Sequence, residues 1–240
     1  MKPLILIIFI SFSTAIAANC DINKIDLASK FDSERLLRIN LENASSELQE
    51  LERCENITDE EKAFLKFLIG NIYLNEFKKS NLTKHAIKAM ENYIGSTHYS
   101  NTYLLRSKFE LAHLMLLWNK HNKATKYINE AIKIKPDDRG VLSLALIITA
   151  KSKNWKEAKT HIKSLMKVYD LYYFDAPLLK ASVEVACHFN DYQSAKNMVS
   201  NVTQYIETRP VYKNSLTKYQ IDTIEKATNL SKDCNKYENK

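Results

Sequence analysis

Glycine and proline are scarce in this chain, three and four among 240 residues. Tight β-turns consume both, so an all-β fold is excluded and long helices with short polar links are expected. No stretch after the first twenty residues is apolar for the roughly 20 residues that a membrane-spanning helix needs, so a transmembrane protein is not expected. Catalytic signatures are missing too. His85, His98, His113, His121, His161 and His188 fall into no Ser/His/Asp or Cys/His set, and GxSxG, HExxH and glycine-rich phosphate loops are absent. The carboxylate pairs Glu60-Glu61 and Asp137-Asp138 sit where helices begin, where negative charge favours the helix dipole. The CxxC and HxxxH spacings of common metal sites do not occur. The chain reads as non-enzymatic, with no metal and no cofactor.

What is present begins with an address. Met1-Lys2 is a short positive start, Leu4 to Phe12 is nearly all apolar, and Ala15-Ile16-Ala17 supplies small residues. That is the pattern of a cleaved export signal, residues 1–17, so a periplasmic or secreted protein is expected. The signal is compact, which leans toward a bacterial periplasm. Asn19 precedes Cys20 where a lipidation motif has Gly, Ala or Ser, which argues against a lipid anchor. Cys20, Cys54, Cys187 and Cys234 all survive signal removal, and an even count in an exported chain implies two disulfides, with three pairings open. Asn43, Asn56, Asn81, Asn201 and Asn229 each open an Asn-x-Ser/Thr sequon, a glycan acceptor if the secretory route is eukaryotic.

The net charge is +7, carried mainly by lysine. Lysine serves solubility, and it also allows contact with an anionic envelope surface; nucleic acid is not expected as a partner of an exported chain. Lys156, Lys159, Lys163 and Lys167 step by three and four along one helical face, a basic stripe.

Helical periodicity runs through the remaining sequence. Ser33 to Cys54 carries Leu36, Leu37, Ile39, Leu41, Leu48 and Leu51 on one side. Thr58 and Glu61 form a capping box for a helix over roughly 59–77, apolar nearly all round. Ala124, Ala131 and Pro136 then set a register, and Ala158 follows Ala124 by 34 residues. Small residues at this spacing let two helices of a hairpin cross closely, and the proline stops the second. Asn154-Trp155 and Asp191-Tyr192 each place a polar capping residue before an aromatic at the start of an outer helix. Tyr169, Tyr172, Tyr173 and Phe174 cluster between two such hairpins.

The register resembles the tetratricopeptide repeat (TPR) from about residue 63 to 209. Its four units are carried by Ile69-Gly70, Tyr73, Ala86, Met90 and Tyr93; by Leu111-Ala112, Met115, Ala124, Ile128, Ala131 and Pro136; by Leu146, Ala158 and Ile162; and by Val183, Ala186, Ala195, Val199 and Val202. Departures are a first linking loop about four residues too long, Tyr93 and Leu165 where small residues are usual, and no closing proline in the third unit.

The resemblance implies an all-α fold, a right-handed α-α superhelix of TPR-like hairpins with extra capping helices at both ends. Domain limits would be 18–58 for an N-terminal segment and cap, 59–210 for about four hairpins, and 211–240 for a C-terminal capping helix and tail. In that helix Leu216, Ile221, Ile224, Ala227 and Leu230 would face inward, beside the last inner helix. Bonds Cys20–Cys54 and Cys187–Cys234 would then tie down the two ends, which otherwise lack a neighbour. The inner helices of such a solenoid line a concave groove. Carried over by register, the groove positions are Asn71, Asn75, Arg106, Phe109, His113, Leu117, Ser143, Ile147, Lys151, Lys180, Glu184 and His188. The function this implies is an envelope adaptor or scaffold that holds a protein or peptide, in pilus, secretion or outer-membrane assembly. A permanent structural subunit of an envelope assembly is the alternative.

Overall fold

The computed structural model describes residues 41–54, 56–168 and 176–234. The export signal, Cys20, the first part of the first helix and the aromatic cluster at 169–174 lie outside the described residues. Among the described residues every regular element is helical: α1 (Leu41–Glu52), α2 (Asp59–Ser80), α3 (Thr83–Tyr99), a 3-10 turn at Asn101–Tyr103, α4 (Leu104–Leu117), α5 (His121–Ile134), α6 (Arg139–Lys151), α7 (Trp155–Val168), α8 (Ala176–His188), α9 (Tyr192–Glu207), α10 (Pro210–Ser215) and α11 (Lys218–Asp233).

Short turns fold α2–α3, α4–α5, α6–α7 and α8–α9 into hairpins, and each hairpin packs on the next. One device makes all four turns. The inner helix ends on a residue in the left-handed region: Asn81 (φ 53°), Asn119 (56°), Lys153 (57°) and Asn190 (58°). In the last three, the following residue donates back five positions, Lys120 N–H to Met115 C=O at 2.8 Å, Asn154 to Thr149 at 2.9 Å and Asp191 to Ala186 at 2.9 Å. That satisfies carbonyls a helix end would otherwise leave bare. Asn119 and Lys153 are 34 residues apart, the same beat as Ala124 and Ala158, which are both fully buried, as is Ala195. Each of these alanines is the fourth residue of its outer helix.

Starts and stops follow sequence chemistry. Thr58 and Glu61 form the expected capping box of α2. Asp138 caps α6, accepting from Val141 N–H at 3.1 Å. Burial raises the Asp138 pKa, but the Val141 N–H and the Lys135 ammonium outweigh it and leave the group below its usual range. Asp191 caps α9 through Ser194 N–H, whereas Asn154 instead donates to the Glu157 carboxylate at 2.6 Å. α5 ends two residues before Pro136, as a residue preceding proline is driven out of helical geometry.

The first hairpin differs from expectation. Its extra residues do not lengthen the loop; α2 runs on to Ser80 and only Asn81 and Leu82 link it to α3. Tyr93, large where a small residue is usual, is fully buried and lies over Gly70, where an added Cβ would stand 2.7 Å from the ring. Bulk has moved from one helix of the pair to the other. The Tyr93 hydroxyl donates to Asn71 Oδ1 at 2.8 Å, and burial, then the Glu110 carboxylate, raises its pKa so that it keeps its proton.

At the other end Cys187 of α8 and Cys234 after α11 are disulfide-bonded, Cα atoms 5.0 Å apart. Cys54 is disulfide-bonded too, and its expected partner Cys20 lies outside the described residues. The bond joins the C-terminal ends of α8 and α11, so α11 runs alongside α8 in the same direction. Its buried face is Thr223, Ala227 and Ser231, with Ile224 and Leu230 half-buried. Ile221 does not face inward: it is 42 % exposed, two residues before Thr223 and so about 200° round the helix from that face.

Candidate functional site

The inner helices α2, α4, α6 and α8 alternate with outer ones and so run in one direction, and α11 extends the row. Residues three and four apart share a helix face. α4 presents Phe109, His113 and Leu117; α6 presents Gly140, Ser143, Ile147 and Lys151; α8 presents Pro177, Lys180, Ala181 and Glu184; α11 presents Tyr219, Thr223 and Lys226. These faces meet in one trough of about 840 Å³, with Lys78 of α2 and Arg139 of α6 also on its wall. It is neither enclosed nor flat, and it lies at the large end of the roughly 300–1,000 Å³ typical of ligand sites.

The floor is apolar: Phe109, Leu116, Leu144, Ile147, Leu178 and Ala181. Leu117 is 40 % exposed and Tyr219 67 % exposed at its margins. The charged groups are unequal. Lys180 Nζ holds Glu184 Oε1 at 2.6 Å, and His113 Nδ1 stands 3.6 Å from Glu110 Oε2. Lys78, Lys151 and Lys226 have no ion-pair or hydrogen-bond partner among the described residues. Five lysine and arginine side chains line the trough against two carboxylates, so it is a cationic site with an apolar floor.

Of the groove positions drawn from sequence, Phe109, His113, Leu117, Ser143, Ile147, Lys151, Lys180 and Glu184 come together here. Asn71, Asn75, Arg106 and His188 do not line it. Asn71 is engaged by Tyr93, Arg106 is exposed one turn before Phe109, and His188 stacks on Trp155 at 4.8 Å between ring centroids. Sequence reasoning missed Lys78, Arg139 and the whole α11 wall. The signal for that wall was a small residue, Thr223, four before Ala227, as on the inner helices.

Elsewhere, Lys156, Lys159, Lys163 and Lys167 are all exposed along α7, and Lys159 lies over the Phe189 ring at 4.1 Å. Among the described residues no group of three or more His, Cys, Asp or Glu is placed to hold a metal ion, and no helix is long and apolar enough to cross a membrane. Comparison of the chain with family models, with curated proteins and with solved structures finds no match.

Proposed function

We propose that the chain is a non-enzymatic binding protein, a TPR-like adaptor of the cell envelope that holds a peptide or a partner segment in the trough. The observation that carries this reading is the trough itself. The parallel helices α4, α6 and α8 offer one apolar floor, walled by Lys78 of α2 and by Tyr219, Thr223 and Lys226 of α11, that no segment among the described residues covers. A preformed surface of this kind binds without first ordering itself, which removes part of the cost of association. The 34-residue beat of turns and buried alanines supports the repeat architecture, and the leader-like start with paired cysteines supports export.

The reading is tested by placing a photo-crosslinking amino acid at Ser143, which half-faces the trough, in the cells that make the protein. One discrete partner should be captured, and Phe109→Ala should abolish the capture. Arg106→Glu, outside the lining, should leave it intact. A permanent structural subunit is the second reading, favoured by Val211, 86 % exposed on α10, together with Tyr219 and Ile221. It requires co-purification at fixed stoichiometry that Phe109→Ala does not disturb.

A further inference from the structure

Resting on the binding reading above, we propose that the occupant of the trough is an acidic peptide segment of a partner protein, with apolar side chains on the floor and carboxylates on Lys78, Lys151 and Lys226. Three observations converge. The first is unspent charge: these three lysines have no partner among the described residues, while Glu184 is already held by Lys180. The two carboxylates of the lining stand against Lys180 and His113, so a ligand carboxylate at these three lysines displaces only water and dissolved ions.

The second is where the lysines stand. Lys78 and Lys151 lie in the last turns of α2 and α6, at the same end of parallel helices, and Lys226 lies on the far wall. Charge is therefore spread along the trough, not gathered at one point as a single phosphate or carboxylate would need. The third is reach. From α2 to α11 the row has four interhelix steps of about 9 Å each, roughly 35 Å. An extended chain covers that distance in about ten residues at about 3.3 Å each. A small ligand would engage one or two of the lysines and leave the rest.

The lining also says what should be rejected. A basic segment would bring like charges against five cations, which lowers both its encounter rate and its affinity. Glu110, beside His113, is the carboxylate a ligand must avoid. The anchors for its apolar side chains are Leu117, 40 % exposed, and the half-buried Phe109 and Ile147.

The test is selection of a random twelve-residue display library on the full chain, with Lys78→Glu/Lys151→Glu/Lys226→Glu as counter-target. All three lysines are on the surface, so the variant keeps its helix content by circular dichroism. Selected peptides should be enriched in Asp and Glu around Leu, Ile or Phe. A synthetic copy should bind about tenfold or more weakly to the triple variant and weaken as NaCl rises from 0.1 to 0.5 M. A copy with its acids changed to Lys should prefer the triple variant. Selected peptides without acid enrichment that still require Leu117, judged by Leu117→Asp, would overturn the acidic occupant and leave the binding trough standing. Peptides indifferent to Leu117→Asp, or no enrichment at all, would overturn both. Capture of phosphatidylglycerol vesicles by the same lysines with no peptide selected would assign the charge to a lipid surface and overturn the proposal.

Discussion

The N-terminal and C-terminal halves of the stack are filled with different materials. Around α1–α5 the buried residues include Phe64, Phe67, Phe77 and Tyr93, with Tyr73, Tyr103 and Trp118 packed against them. Around α6–α11 the enclosed hydrophobic set contains, among the described residues, no Phe, Tyr or Trp; it is Leu, Val, Ala and the Cys187–Cys234 bond, with Trp155 and Tyr192 only at the edge. An aromatic core depends on individual fits, such as Tyr93 into the space above Gly70. An aliphatic core depends on many interchangeable contacts, and here a covalent bond ties α11, the last helix among the described residues, to α8. The two halves should therefore break in different ways.

The largest effect should come from the aromatic half. Tyr93→Ala removes a fully buried ring and strands Asn71, which should lower stability by about 3–5 kcal/mol in denaturant titration. Gly70→Val should approach the same loss, because its Cβ alone stands 2.7 Å from the ring. The pair Gly70→Ala/Tyr93→Leu should recover part of it by returning bulk to the inner helix, the arrangement of the later hairpins. Strict additivity of the two changes would show that they do not share a space.

That exchange of bulk also explains what could be read in the sequence. Repeat register was visible where small residues recur at fixed offsets, Ala124, Ala131 and Ala158, and faint where Tyr93 takes over the small position. The Thr58–Glu61 box was legible because capping is local. The extent of α2 was not: nothing from Lys78 to Ser80 distinguishes a last helical turn from a polar loop until Asn81 turns left-handed. For the trough, the faces of α4, α6 and α8 followed from helical spacing once the register was set. The α11 wall did not, because its place depends on the Cys187–Cys234 tie and on a buried face of Thr223, Ala227 and Ser231 that reads as polar. Arg106 and Asn71 show the reverse failure: both occupy the right register, yet one points past the trough and the other is engaged by a neighbouring helix.

Next in size is the bond that serves the aliphatic half. The Cys187→Ser/Cys234→Ser variant opens a link spanning 47 residues, and should lose about 2–4 kcal/mol. The loss should be local. Hydrogen exchange should rise first in α11 and α8 while α2 and α3 stay protected. Uniform acceleration across the chain would erase the distinction between the halves.

A smaller effect is expected from His161, buried in α7, whose pKa is lowered by burial and only partly restored by Glu157 at 3.8 Å. The folded state thus prefers the neutral ring. The group's stabilising contribution is whole above the unfolded value of about 6.5 and is lost as pH falls from there through the folded pKa. In His161→Gln, melting temperature should fall less between pH 7 and pH 5 than in the parent. An equal fall in both would place the acid sensitivity elsewhere.

The smallest effect is also the only gain, and it sits at the turn of the third hairpin. Three of the four left-handed turn residues are asparagine; the fourth is Lys153, at φ 57°. Asparagine visits this region readily because its short side chain bonds locally, whereas a lysine Cβ crowds the following carbonyl oxygen. Lys153 is exposed and its side chain makes no ion pair among the described residues, so nothing visible offsets that strain. Lys153→Asn should therefore stabilise the protein by about 0.5–1 kcal/mol, a part of the roughly 1–2 kcal/mol that left-handed geometry costs an ordinary L-residue. The mirror change, Asn119→Lys, should destabilise by a similar amount. Because the two turns share the same back-donated hydrogen bond and lie 34 residues apart, equal and opposite shifts in denaturation midpoint would show that they are the same element repeated. A gain at one position without the matching loss at the other would mean that each hairpin reaches this turn by its own means.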